Sequence, residues 1–149
     1  MGRTENSIII RAKREPVFDI TNDIERWPEF FDEYTAARIL HRSNDRITFQ
    51  LTNKEGKTWK SSRALDKVSY QCTAEREEPK FPFLYMHIKW TYEEVAEGTK
   101  MTWIQDFEMD PKSGYTDEQA VDHINRHSSV NMENIKKLIE TGAQSGRAQ

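Results

Sequence analysis

Thr58-Trp59-Lys60-Ser61-Ser62-Arg63 contains a conflict whose resolution decides how the rest of the chain is read. In an extended strand successive side chains alternate between faces, so Trp59, Ser61 and Arg63 share one surface while Lys60 and Ser62 take the other. A Trp is out of place on a solvated face, and an unpaired Arg is costly on a packed one. A ligand cavity, mostly aromatic and polar at a few points, accommodates both. An edge strand with the Arg63 stem laid across the indole is the alternative.

The surrounding composition favours walls made of rings. The 149-residue chain holds four Trp, five Tyr and seven Phe but only five Leu, enough material for one domain with a sizeable core. Flat side chains pack as a core and also stack on flat ligands. A net charge of −3 with interspersed signs excludes an electrostatic footprint for nucleic acid or an anionic membrane. Cys72 is the single cysteine, so an internal disulfide is excluded. The start Met1-Gly2-Arg3-Thr4-Glu5-Asn6 has no apolar signal core, and Asn6 stands where a myristoylation site needs Ser or Thr. A cytoplasmic, soluble protein is expected.

Outward from Trp59, turn signals divide the chain. Residues 7–12 predict a first strand, and Pro16 predicts a helix start. Asn22-Asp23 and Pro28 break residues 16–34 into two short helices, with Trp27, Phe31 and Tyr34 on one helical stripe. Strands follow over 37–41, 46–52, 57–65, 69–77, 83–95 and 99–109, joined by short turns that imply an antiparallel meander. Thr116-Asp117-Glu118-Gln119 has capping-box spacing and opens a long helix to about Gly142, with a disordered tail over 143–149. The stripe Ile124, Ser128, Asn131, Ile135, Leu138 is polar at its middle, as suits a helix lining a cavity. The expected architecture is α+β: an antiparallel meander of strands and a long C-terminal helix, in one domain over residues 1–142.

This order of elements resembles the helix-grip fold of the START-like (Bet v 1-like) superfamily, which implies a curved antiparallel sheet of about seven strands wrapped around the long C-terminal helix. More specifically, the chain resembles the aromatase/cyclases of bacterial type II polyketide synthesis, of the tetracenomycin and spore-pigment type. The resemblance runs over residues 7–139. It is carried by residues 21–28 (TNDIERWP), 59–63 (WKSSR), 85–90 (YMHIKW), 103–107 (WIQDF) and 124–126 (INR). It implies an interior cavity that holds a poly-β-ketone tethered to an acyl carrier protein, in company with the minimal polyketide synthase. It implies no cofactor, and regiospecific first-ring aldol closure with dehydration. Arg63 and Tyr34 take the catalytic positions. Trp27, Phe31, Trp59, Ser61, Phe83, Met86, Trp90, Trp103, Gln105 and Asn125 take substrate-binding ones. The segment before Trp59 is shorter than in those relatives, and the loop over 77–82 is longer and more charged, which alters the mouth.

The side-chain types suit such chemistry. A methylene between two ketones is acidic, so the larger tasks are to bring one carbon pair together and to stabilise the enolate or alkoxide oxygen. The guanidinium of Arg63 is a permanently charged donor fork for that oxygen and a poor base. Tyr34 is the proton donor, or the acceptor if Arg63 favours its phenolate. Ser61 and Gln105 are hydrogen-bond partners for other ketone oxygens.

Other signals are weaker. His123 and His127 lie one helical turn apart without a third ligand, so no metal site is expected. Cys72 fits a packed thiol, and there is neither a nucleophile elbow nor a phosphate-binding loop. The alternative function is a non-catalytic START-like carrier of a lipid, quinone or polyketide, against which the polar set Tyr34, Ser61, Arg63 and Gln105 argues.

Overall fold

The computed structural model describes residues 1–148, and side chains through Gly142. Its elements are β1 (Gly2–Ile10), α1 (Arg14–Thr21), a 3-10 turn (Ile24–Arg26), α2 (Trp27–Phe30), β2 (Tyr34–Ser43), β3 (Arg46–Asn53), β4 (Thr58–Asp66), β5 (Gln71–Arg76), β6 (Phe83–Val95), β7 (Gly98–Met109), a second 3-10 turn (Pro111–Ser113) and α3 (Asp117–Ala148). Seven strands pair antiparallel in the order β1-β7-β6-β5-β4-β3-β2. Strands β2 to β7 form the meander, and β1 closes on β7. Helix α3 packs against β1, β7 and the short helices, so the sheet curls around it.

Several boundaries differ from the sequence reading for identifiable reasons. Strand β1 begins at Gly2 because Thr4 and Asn6 pair with Gln105 and Trp103 of β7, a register that apolar content alone did not reveal. Helix α1 begins at Arg14, leaving Pro16 within its first turn, where a missing N–H is still harmless. Strand β5 starts at Gln71 rather than 69 because Tyr70 adopts a left-handed φ of 53° that breaks the ladder. Helix α2 stops at Phe30, Phe31 is extended (φ −109°, ψ 114°) and Tyr34 opens β2, so Tyr34 is not on a helix.

The capping box forms reciprocally. Gln119 N donates to Thr116 Oγ1 at 3.1 Å, and Thr116 N donates to Gln119 Oε1 at 2.9 Å. On α3, Ser128, Asn131 and Ile135 face inward as the stripe predicts, but Leu138 is exposed and Ile139 takes the buried position. The helical backbone continues past Gly142. The expected disordered tail, 143–149, lies outside the residues whose side chains are described.

Candidate functional site between sheet and helix

Alternation on β4 places the opening hexapeptide as its side chains require. Ser61 and Arg63 are buried toward the concave face, with Trp59 half-buried beside them. On the outer face Lys60 is exposed and Ser62 accepts from Arg46 Nη2 at 3.3 Å. Arg63 is 2% exposed. Its Nη1 donates to Asn22 Oδ1 and lies against Cys72 Sγ, each at 3.0 Å. Its Cζ lies 4.1 Å from the Trp90 ring centroid and 5.1 Å from that of Trp27. Burial raises the Cys72 thiol against the opposing pull of Arg63, so the sulfur is a neutral neighbour. A buried cation is therefore held by two neutral groups and two π faces, with no carboxylate among its hydrogen-bond partners. Its Nε has no partner.

Around the guanidinium the rings form one assembly. Trp90 stacks on Trp103 with centroids 4.6 Å apart, Trp27 on Trp90 at 5.9 Å, and Phe31 on Trp103 at 5.7 Å. Tyr34 stacks on Trp27 at 6.2 Å and meets Trp59 edge-on at 6.0 Å. Arg63 and Tyr34 thus both contact the Trp27 indole, although no hydrogen bond joins them among the described residues. Burial is the main cause raising the Tyr34 phenol, and Glu33 adds to it while Arg76 and Arg63 oppose. The group is a neutral O–H at physiological pH.

The expectation of a wide interior cavity needs correction. The space between sheet and helix is largely taken by these rings, because flat apolar faces gain more from one another than from water. A groove of about 410 Å³ lies instead on the outer face, lined by Ser62, Glu75, His87 and Lys89 among others.

The remaining positions divide. Met86 joins Phe107, Met109 and Ala120 in a second cluster toward the start of α3, and Phe83 packs on it, 5.8 Å from the Phe107 centroid. Gln105 lies between the clusters, its Nε2 4.0 Å from Met86 Sδ. Asn125 accepts from Asn6 Nδ2 at 3.0 Å, tied to β1 rather than facing the ring assembly. His123 and His127 have ring centroids 4.3 Å apart. Among the described residues no group of three or more His, Cys, Asp or Glu is placed to hold a metal ion. No described helix is long and apolar enough to cross a membrane.

With this geometry in view, comparison with known proteins is informative. The family model described as polyketide cyclase / dehydrase and lipid transport matches residues 10–134. The chain belongs to that family. A provisional polyketide cyclase of Streptomyces cyaneus is 44% identical over 93% of this chain and 94% of its own length. The granaticin polyketide synthase bifunctional cyclase/dehydratase of Streptomyces violaceoruber is 27% identical over 94% of this chain, which spans 44% of that larger protein. Among solved structures, the Zhui aromatase/cyclase from a Streptomyces species superimposes with a TM-score of 0.80, covering 93% of each chain at 18% identity, a likeness of fold.

In this member of the cyclase/dehydrase family, three groups at the site escaped the sequence reading. Asn22 orients Arg63 while its Nδ2 donates to Phe18 O and to Tyr92 Oη. Arg76 lies opposite Ser61 and covers Trp59, with Cζ 4.4 Å from the ring centroid. It donates to the carbonyls of Pro79 and Phe81, each at 2.9 Å, and burial pushes its pKa down to about 10. Glu33 accepts from Asn131 Nδ2 at 3.4 Å, and burial raises its carboxyl. The signal for Arg76 was present in the alternation Cys72, Ala74, Arg76. Asn22 and Glu33 sit where the chain turns, and no periodicity points them inward.

Proposed function

We propose that this protein directs the regiospecific first-ring aldol cyclisation, and the dehydration that aromatises it, of a poly-β-ketone carried on an acyl carrier protein of a type II polyketide synthase. The observation that carries this is the buried Arg63 guanidinium, which has no carboxylate partner and an unused Nε donor. A permanent cation among rings gains a full partner only when an oxygen bearing negative charge arrives. A carrier of an apolar lipid has no use for it.

The chemistry requires no cofactor. One methylene, acidic between two ketones, loses its proton to a water molecule to give an enolate, and that carbon bonds to a ketone carbon of the same chain. The ketone oxygen becomes an alkoxide, which Arg63 stabilises. Tyr34, kept protonated by burial, gives the alkoxide its proton directly or through water and regains one from the water that took the methylene proton. Loss of the new hydroxyl as water, with enolisation of the remaining ring ketones, then makes the ring aromatic. Trp27, Phe31, Trp59 and Trp90 shape the chain, and the stack must part to admit it. Ser61 and Gln105 serve further oxygens, Phe83 and Met86 lie farther along the same inner surface, and Asn125, engaged by Asn6 of β1, reaches the chain only at that edge.

Reconstitution with a minimal polyketide synthase tests this. A shift from spontaneous mixtures to one ring pattern is expected when the protein is added. An unchanged mixture, with the protein folded and the poly-β-ketone made, would leave the carrier function standing instead.

A further inference from the structure

Native interiors satisfy nearly all of their buried polar atoms, so the exceptions are informative. Among the described residues three buried side-chain polar atoms have no partner: Arg63 Nε, Trp103 Nε1 and Asn131 Oδ1. All three belong to residues packed between the concave face of the sheet and α3, and all three residues are at most 3% exposed. Trp27 provides a contrast inside the same ring assembly, since its Nε1 donates to Thr21 O at 3.0 Å. An indole N–H that serves the fold finds a carbonyl. The one on Trp103 does not.

The arrangement of the three atoms specifies a ligand. Trp103 of β7 pairs with Trp90 of β6, which pairs with Cys72 of β5, while Arg63 reaches toward Trp90 from β4. Trp90 contacts both donor residues, stacked on Trp103 at 4.6 Å and covered by Arg63 at 4.1 Å. The donors come from β4 and β7, with β5 and β6 between them, so each is assigned its own oxygen. Asn131 adds an acceptor from the helix side, its own amide nitrogen already committed to Glu33. A ligand that offers two acceptor oxygens and one O–H, such as a ketone chain with an enol or new phenol, satisfies the set. A hydrocarbon chain satisfies none of it.

We infer that Trp103 is a specificity-determining residue for the cyclisation proposed above. Its Nε1–H holds a second ketone oxygen while Arg63 holds the reacting one, and the interval between the two donors fixes which carbons meet. This rests on the cyclase function. It differs from a purely steric role for Trp103, in which only the shape of the indole matters.

Trp103→Phe keeps a ring in the stack and deletes the N–H. In the reconstituted system the variant should still consume the poly-β-ketone, but the ratio of the native ring pattern to the alternatives should fall roughly tenfold, the size of one neutral hydrogen bond lost in the transition state. A wild-type product ratio from folded Trp103→Phe overturns the inference and leaves the cyclase function intact. Failure of the wild-type protein to impose any ring pattern overturns the cyclase function itself.

Because the substitution can disturb folding, a second measurement uses the native chain. Nitrogen-15 indole spectra are recorded while an acetylnaphthol, a phenolic aryl ketone, is titrated in. The Trp103 indole proton, identified by its proximity to Trp90 and Phe31, should move downfield at saturation while that of Trp27 stays in place. An unmoved Trp103 signal, with binding evident from tryptophan fluorescence, rules out the hydrogen bond.

Discussion

Arg63 concentrates the energetic tension of the site in one side chain. Transfer of a guanidinium from water into a ring-lined interior is costly, and here neutral acceptors and π faces offset only part of the cost. Arg63→Met, which keeps the stem and deletes the charge, should leave the melting temperature unchanged or raise it. Regiospecific cyclisation should fall about 100-fold or more, the usual effect of deleting a donor to a developing oxyanion. Product analysis beside a thermal melt checks both halves, and normal turnover by the variant would remove Arg63 from the chemistry. Glu33 has the opposite relation to its surroundings. Its folded-state carboxyl is raised chiefly by burial and further by Asp32, while His127 and Asn131 oppose. A raised folded pKa means that its stability contribution is full below the unfolded carboxylate pKa of about 4.3 and is lost as pH rises through the folded value. Glu33→Gln should therefore be more stable than the native chain at neutral pH, and the gap should close near pH 4. Urea midpoints at the two pH values measure it. Arg63 was legible in the sequence because strict alternation sets it beside Trp59. Glu33 was not, since it occupies a turn without any period.

Elements position these side chains, and here the sequence was read less completely. The three-and-four spacing of Trp27, Phe31 and Tyr34 suggested a single helical stripe, yet the helix ends at Phe30 and the chain enters β2 at Tyr34. The rings still meet, with Phe31 and Tyr34 centroids 5.3 Å apart, because a sharp exit from a helix and one more helical turn both bring the next aromatic back to the same place. Spacing thus revealed the cluster and mistook the backbone that makes it. The start of α3 was read more securely, because a capping box is a local chemical signature that needs no tertiary information. Thr116→Ala deletes the side-chain oxygen that accepts from Gln119 N. It should cost about 1 kcal/mol of stability. Asn131 lies four turns away, so ring-pattern selectivity should be unaffected. Denaturant unfolding measures the loss, and a variant that also scrambled products would show that α3 shifts along its axis when its cap is lost.

At the scale of the whole molecule, the antiparallel meander and the long last helix follow from turn signals and strand periodicity, the curl of the sheet around that helix came with the family resemblance, and the filled interior came with neither. Which rings touch depends on how far the sheet curls, and no local pattern encodes that distance. The consequence is thermodynamic. A ligand that enters must separate stacked pairs such as Trp27–Trp90, Trp90–Trp103 and Phe31–Trp103, each worth about 0.5–1.5 kcal/mol beyond the area it buries. A flat unsaturated guest returns those contacts by stacking in place of the parted rings. A saturated guest of equal size cannot, so the closed interior itself selects for planarity. An acetylnaphthol should bind at least roughly tenfold more tightly than a decalone of similar volume, since one or two recovered ring contacts supply that difference. All four tryptophans of the chain, Trp27, Trp59, Trp90 and Trp103, lie in the assembly, so their fluorescence should be strongly quenched as the planar guest saturates. Equal affinity for the two guests would mean that the rings part at no cost, and the interior would then be an open container rather than a collapsed one that its substrate unfolds.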